Sequence, residues 1–254
     1  MPFPAAITPV GHIEPVPRRI RATRGGEVVI DTTAALYVWE WPHYPQYHIP
    51  RGDVLDGLVV VGGEEGRTSR GTVRLCSFAD AGPQGPTVAR LLVDATDPAL
   101  DDTLRFDWEA LDGWFEEDEE VYVHPRNPYT RVDALRSSRP VRIELGGVVL
   151  AESASPVMVF ETGLPARYYL NRTEVDFDHL QSSPTVTRCP YKGTTTGYWS
   201  AVVGGETHRD LAWSYAFPTR ELLPIAGLVS FYNEKVDVFV DGVRQERPVT
   251  HFSR

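Results

Sequence analysis

The chain has 254 residues and a formal net charge of −10. That charge argues against a phosphate-tracking surface, so no nucleic-acid partner is expected, because such affinity rests on Lys and Arg neutralising phosphates. Hydrophobic and charged contents of 42% and 24% are those of a globular protein. No run approaches the roughly 18 apolar residues that span a bilayer, so no membrane is expected.

In chain order, MPFPAAITPVGHIEPVPRRIR lacks a basic start followed by an apolar core, so it is not a secretory signal. Its prolines predict an extended arm over residues 1–18 lying on the surface. VVVGGEEG, around Gly62-Gly63, predicts a hairpin tip, as paired glycines supply the positive φ of a two-residue turn. EEDEE at 116–120 predicts a solvated edge. VYVHPRNPYTRVDALRSSRP, 121–140, carries two X-Pro steps, no glycine and several arginines, which predicts an ordered connector packed across both halves. VRIELGGVVLAES and WSAVVGGETHRDLAWSY predict hairpins at Gly146-Gly147 and Gly204-Gly205. PTRELLPIAG, 218–227, is a short helical candidate limited by Pro224. KVDVFVD alternates, with Val236, Val238 and Val240 on one face.

Two stretches repeat. At a shift of 121, GGEVVIDTTAALYVWEWPHYPQYHIPRGDV (25–54) lies over GGVVLAESASPVMVFETGLPARYYLNRTEV (146–175) without a gap. Identities include Gly25/Gly146, Gly26/Gly147, Glu40/Glu161, Tyr47/Tyr168 and Arg51/Arg172. A shift of 125 lays FDWEALDGWFE (106–116) over FYNEKVDVFVD (231–241). Such internal similarity marks a duplicated domain. The expected fold is mainly β: two tandem antiparallel β-rich domains, each with at most one short helix. Their expected limits are 19–122 and 141–254, joined by the connector at 123–140.

TRCPYKG, YWSAVVGG, AWSY and IAGLVSFYNEKVDVFVDG resemble the domain-of-unknown-function family 427. EEDEEVYVHPRNPYTRVDALRSSR with FETGLPARYYL is similar to its two-domain bacterial members. The resemblance covers nearly the whole chain after about residue 19. It implies a compact, tent-like pair of sheets in each domain, and it carries a nucleotidyltransferase-like label. The residues do not support that label, since no Gly-rich loop opens a helix and no carboxylate pair is spaced to hold magnesium. The full motif series stands only in the second copy. The first has no CPYKG between Val54 and Phe106, so one site is expected, in the second half.

The candidate site centres on TRCPYKGTTTGYWS, 187–200. Lysine is scarce: Lys192 and Lys235 stand against 23 arginines. Cys189 is a candidate nucleophile, because a nearby ammonium such as Lys192 favours the thiolate. Glu161 can orient the lysine, and Arg167, Tyr168 and Tyr169 can hold an anionic or hydroxylated ligand, with Trp199 and Trp213 as apolar walls. The structural alternatives are a buried inert thiol, a solvated turn lysine and core tryptophans. A glutamate in both copies, Glu40 and Glu161, suggests a shared structural partner. In the connector, His124, Arg126, Tyr129, Arg131 and Asp133 either line a groove or tie down irregular backbone, and the second reading is preferred.

Cys76 and Cys189 make neither a disulfide framework nor a four-ligand zinc site, so no metal and no cofactor are expected. The Asn171-Arg172-Thr173 triplet is then an accidental glycosylation match, and the expected location is the cytoplasm. Three functions stay open. The first is a small-molecule-binding protein or unassigned enzyme, with its pocket around Glu161, Arg167, Tyr169, Cys189, Lys192 and Trp199. The second is a non-catalytic protein-interaction module, and the third a cysteine-dependent enzyme using Cys189. A monomer with its two domains paired about a pseudo-two-fold axis is expected.

Overall fold

The computed structural model describes residues 8–253, so positions 1–7 of the expected arm lie outside the described residues. The chain divides into two compact units at Pro128/Tyr129. In the first, β1 is Ile13–Pro15, β2 Ile20–Arg24, β3 Glu27–Thr32, β4 Leu36–Val38, β5 Gln46–Pro50 and β6 Val59–Thr68. It continues with β7 Gly71–Phe78, β8 Ala89–Val93, β9 Thr103–Phe106, β10 Gly113–Glu116 and β11 Glu119–Val121. In the second, β12 is Val132–Arg136, β13 Val141–Leu145, β14 Val148–Ser153, β15 Val157–Glu161, β16 Arg167–Leu170 and β17 Leu180–Ser183. There follow β18 Arg188–Cys189, β19 Gly193–Thr194, β20 Gly197–Val203, β21 Glu206–Ser214, β22 Val229–Phe231, β23 Asp237–Val240 and β24 Val243–Arg244.

Each unit holds a seven-stranded and a four-stranded sheet, paired antiparallel throughout. The orders β1-β4-β5-β9-β8-β7-β6 and β11-β10-β2-β3 of the first become β12-β15-β16-β22-β21-β20-β17 and β24-β23-β13-β14 of the second. Even the irregularities repeat. The register shift between Ala22 and Thr23 recurs between Ile143 and Glu144, and the bridge Ile30–Val54 recurs as Ala151–Val175. The shift of 125, expected over residues 106–116, already holds at 104, where Leu104 faces Ile49 and Val229 faces Leu170. It becomes 124 one strand later, where Phe115 faces Arg21 and Phe239 faces Arg142. Strand pairing forgives a lost loop residue, provided the buried face of the next strand is kept. The fold is therefore mainly β and duplicated, as the repeats imply.

In each unit a core draws on both sheets. Ile20, Ala22, Ile30 and Trp114 of the small sheet pack with Tyr47, Ile49, Leu91 and Leu104 of the large one. Val141, Ile143 and Val238 pack likewise with Leu170, Ala212 and Phe231. Alternation along each strand sends one set of side chains here and the other set to the outer face. Val236, Val238 and Val240 are buried as their spacing requires. The turns at Gly146-Gly147 and Gly204-Gly205 have the positive φ values expected of them.

Several local expectations are corrected. Gly62-Gly63 is no hairpin tip: β6 runs through it, and the pair sits at a register shift between Val61 and Glu65. A Cβ on Gly62 would lie 3.0 Å from the Pro83 carbonyl oxygen, so its glycine serves close backbone approach. EEDEE is not a uniformly solvated edge. Glu116 is only 3% exposed, accepts from Tyr47 Oη at 2.8 Å and pairs with Arg18. Residues 218–227 form a 3-10 stretch, Arg220–Ile225, rather than an α-helix, because Leu222 leaves helical φ/ψ ahead of Pro224. The later part of the expected arm is sheet, with Ile13–Pro15 paired to β4. In the connector, Val132–Arg136 is the edge strand beside β15.

Gly71 has φ +143°, and a Cβ there would sit 2.9 Å from Val93 O, Asp94 O and Ala95 Cα. Gly71→Ala is expected to cost about 2 kcal/mol or more in denaturant unfolding, while Gly63→Ala, with open space around it, stays within about 0.5 kcal/mol. Equal effects would contradict this account of the β6–β7 turn.

Candidate functional site

Between β17 and β20 the second unit inserts residues 184–196, whose β18–β19 hairpin is a small sheet of its own. The first unit joins the corresponding β6 and β7 by the two residues Ser69 and Arg70. The insert folds back on itself through Thr195 N–H to Thr187 O at 2.9 Å and Thr187 N–H to Thr195 Oγ1 at 2.8 Å. Thr219 N–H and Oγ1 donate to Lys192 O and Tyr191 O at 3.2 and 2.6 Å. Gly193 has φ +94°, which turns the chain directly after Lys192.

This hairpin drives Lys192 inward onto the outer face of the large sheet. The lysine is 8% exposed, and its Nζ donates to Glu161 Oε2 at the end of β15, with Cys189 Sγ 3.9 Å away. Burial opposes the ammonium, but Cys189 and Glu161 more than offset it, so Lys192 titrates above the ordinary lysine range. Beneath lie Val157, Val159, Tyr169, Tyr198, Trp213, Tyr215, Leu222 and Ile225, a second apolar layer on the side away from the main core. Trp213 Nε1–H donates to Tyr169 Oη at 3.2 Å. Burial pushes the Tyr169 hydroxyl up to about 12, against the pull of Lys192 and Trp213. The chemistry available is a charged, desolvated amine between a carboxylate and a half-exposed thiol, walled by phenols.

The family described as a domain of unknown function, DUF427, matches residues 12–117 and 133–242. The chain belongs to DUF427. No curated protein shows a significant match to it.

Of the expected site residues of this DUF427 protein, Glu161, Tyr169, Cys189 and Lys192 are brought together. Arg167 is buried close by, but its guanidinium is occupied: Nη1 and Nη2 donate to Glu234 Oε2 and Oε1 at 2.6 and 2.7 Å, and Thr250 Oγ1 donates to Glu234 as well. Burial opposes the Glu234 charge, yet Arg167 and Thr250 hold its carboxyl below the ordinary range. Trp199 faces the other way, packing on the inter-sheet core against Phe177 and under Arg172. Tyr168 shares that inner face.

Glu40 and Glu161 do not share a partner. Glu40 lies 3.5 Å from Arg105 Nε and 3.6 Å from His48 Nε2, whereas Glu161 takes Lys192. In the connector, Arg131 pairs with Asp133 at 2.8 Å and His124 stacks on Tyr44 at 3.6 Å. Two surface clefts, of about 690 Å³ beside Arg70 and Leu100 and about 320 Å³ beside Tyr168 and Asn233, do not reach Cys189 or Lys192. Among the described residues, no group of three or more His, Cys, Asp and Glu could hold a metal ion, and no helix is long and apolar enough to cross a membrane. Sequence reasoning missed Tyr215, Glu234 and His48. The repeat itself held the signal for His48, since a shift of 121 lays it on Tyr169.

Removing one partner of a buried ion pair strands the other charge, at a cost of about 3–5 kcal/mol. Lys192→Met and Glu161→Gln are each expected to cost about that much, and the double variant clearly less than their sum, in equilibrium unfolding. Additive losses would mean that the two do not interact. For Glu234, whose folded pKa is depressed, the stabilising contribution is present above the unfolded glutamate value near 4.3 and is lost as pH falls through the folded value. Glu234→Gln should therefore flatten the acid limb of the stability curve, and an unchanged limb would exclude that linkage.

Proposed function

We propose that the second unit binds a small polar molecule at Glu161, Cys189 and Lys192, over the Tyr169–Trp213–Tyr215 floor. The observation that carries this reading is the buried Lys192 ammonium. Holding a turn against a sheet does not require a charge there; an apolar side chain of similar volume does so with less desolvation. An ammonium set beside a half-exposed thiol offers a ligand one donor and one soft nucleophilic atom at the same point. Cys189 is the accessible end, so a ligand meets the thiol first and reaches Lys192 when the 187–196 hairpin lifts from Thr219. Arg167 supports the floor through Glu234 and the aromatic faces of Trp213, Tyr232 and Phe252. If covalent chemistry occurs, Cys189 is the nucleophile and Lys192 the cation beside it.

A second reading is favoured by side chains around the same hairpin. Phe217 is 86% exposed, and Leu223 and Val186 are exposed as well. The Phe217 carbonyl lies against Gly193. Apolar groups presented in this way suit a protein partner rather than a small molecule.

The test is a thermal-shift screen of the full chain against a metabolite panel, repeated with Cys189→Ser, which leaves the Lys192–Glu161 pair in place. A ligand at about 100 times its Kd adds roughly 2.7 kcal/mol to the folded state. The expected outcome is a hit that the serine variant weakens at least tenfold. No hit, together with alkylation of Cys189 following the pH midpoint of an ordinary thiol near 8.5, would remove both the binding and the nucleophile readings.

A further inference from the structure

We propose that the first unit carries its own site, for a small oxyanion, at the position that Lys192 and Glu161 occupy in the second. Strand register fixes the correspondence. Glu40 and His48 stand where Glu161 and Tyr169 stand, since Leu36 faces His48 as Val157 faces Tyr169. Arg105 stands where Ser230 does, one residue beyond the equivalent pairs Ile49–Leu104 and Leu170–Val229.

The side chains here leave their hydrogen bonds unmade. His48 is 4% exposed. Its Nδ1 lies 3.1 Å from Thr103 Oγ1, and that hydroxyl donates to Leu100 O at 2.7 Å. Thr103 therefore receives the proton, Nδ1 carries it, and Nε2 is turned toward Glu40. The Nε2–Glu40 separation of 3.6 Å is too long for a hydrogen bond. Arg105 Nε is 3.5 Å from the other Glu40 oxygen, again without a hydrogen bond, while its Nη1 donates to Asp107 at 2.9 Å. Arg70 gives Nη2 to Trp39 O at 3.0 Å and leaves Nη1 unused. His48 Nε2, Arg70 Nη1 and Arg105 Nε are all buried without a hydrogen-bond partner. All three side chains act on Glu40, and folded proteins seldom leave such buried atoms unsatisfied.

The electrostatics define the occupant. Arg70, Arg90 and Arg105 outnumber Glu40 and Asp107 by one positive charge before His48 is counted; Arg90 and Arg105 both lie on Asp107. Burial opposes the Glu40 charge, but His48, Arg105 and Arg70 hold its carboxyl below the ordinary range, so it is anionic at neutral pH. Its side chain is 37% exposed and 3.5 Å or more from both partners, so solvent is open to it once an oxyanion takes over its charge. It fills the seat at long range. A free oxyanion, carboxylate or phosphate, brings acceptor oxygens for Arg70 Nη1 and Arg105 Nε, and for His48 Nε2 when the ring carries its second proton, and its charge replaces that of Glu40. A cation is repelled by the arginines, and an apolar ligand leaves the nitrogens unsatisfied.

The experiment titrates the full chain with potassium acetate and, separately, potassium phosphate, against potassium chloride of matched ionic strength. Stability and calorimetric heat are both followed. The expected result is a saturable stabilisation of the unaltered chain by at least one oxyanion. Arg105→Gln should weaken it at least tenfold, and Glu40→Gln should tighten it several-fold by removing the internal competitor. The two titrations distinguish a carboxylate from a phosphate ligand. If Arg105→Gln does not fold, His48→Gln serves the same purpose. Three results would overturn the proposal: no saturable effect beyond chloride, an effect that survives Arg105→Gln, or binding seen only after Glu40→Gln. The last would make Glu40 a permanent structural plug.

Discussion

The structure depends on one constraint, applied twice: a seven-stranded antiparallel sheet must bury one face against a four-stranded partner. Once Ile20, Ala22 and Trp114, or Val141, Ile143 and Val238, meet the large sheet, the alternation of every strand is fixed. A slip of one residue would turn a whole strand's apolar set to solvent. That is why the two units keep the same bulge and the same isolated bridge across a large sequence difference. It is also why a loop residue lost before β23, relative to β10, is absorbed without disturbing the pairing of Phe115 or Phe239.

The inner face being committed to the core, the outer face of the large sheet is where the copies are free to differ. In the second unit it is covered by a layer of tyrosine, tryptophan and aliphatic side chains, sealed by a hairpin that delivers Lys192 to Glu161. In the first, the cluster of Val38, Leu92 and Leu100 is smaller, and polar groups lie beside Glu40 where the second unit has phenols. The shared glutamate thus has two settings. An ammonium meets it within hydrogen-bonding reach in one, and a histidine and a guanidinium stop just short of it in the other. The carboxylate at the end of β15 and two residues beyond β4 is a common position, and the side chains packed against it decide its chemistry.

The family's motif cluster gains a physical account from this arrangement. Cys189, Pro190, Lys192 and Gly193 make a hairpin that reaches inward, with Gly193 supplying the positive φ after the lysine. Tyr198 and Trp213 face each other across β20 and β21 and belong to the floor beneath it. Trp199, next in sequence to Tyr198, serves the main core instead. Adjacent residues of one motif therefore perform separate tasks on opposite faces of the sheet.

The sequence alone determined the duplication, the β class, the glycine turns at 146–147 and 204–205 and the burial of the KVDVFVD valines. These are local or periodic properties: a two-residue turn needs positive φ, and a strand repeats every second residue. It also singled out Lys192, because two lysines among so many arginines are conspicuous, Cys189 three residues before it, and Glu161 and Tyr169 from the repeated FETGLPARYY segment. Tertiary structure decided what local patterns cannot carry. Gly62-Gly63 sits at a register shift within β6 rather than at a turn, and Gly62 is crowded by the Pro83 and Leu75 carbonyls, the first from beyond the β6–β7 hairpin. Glu116 is buried within an acidic run because Tyr47 and Arg18, remote in sequence, satisfy it. Arg167 is occupied because Glu234 reaches it across 67 positions. The partner of a charged side chain is a fact about distance in space, and spacing along the chain encodes that distance only within a single strand or turn.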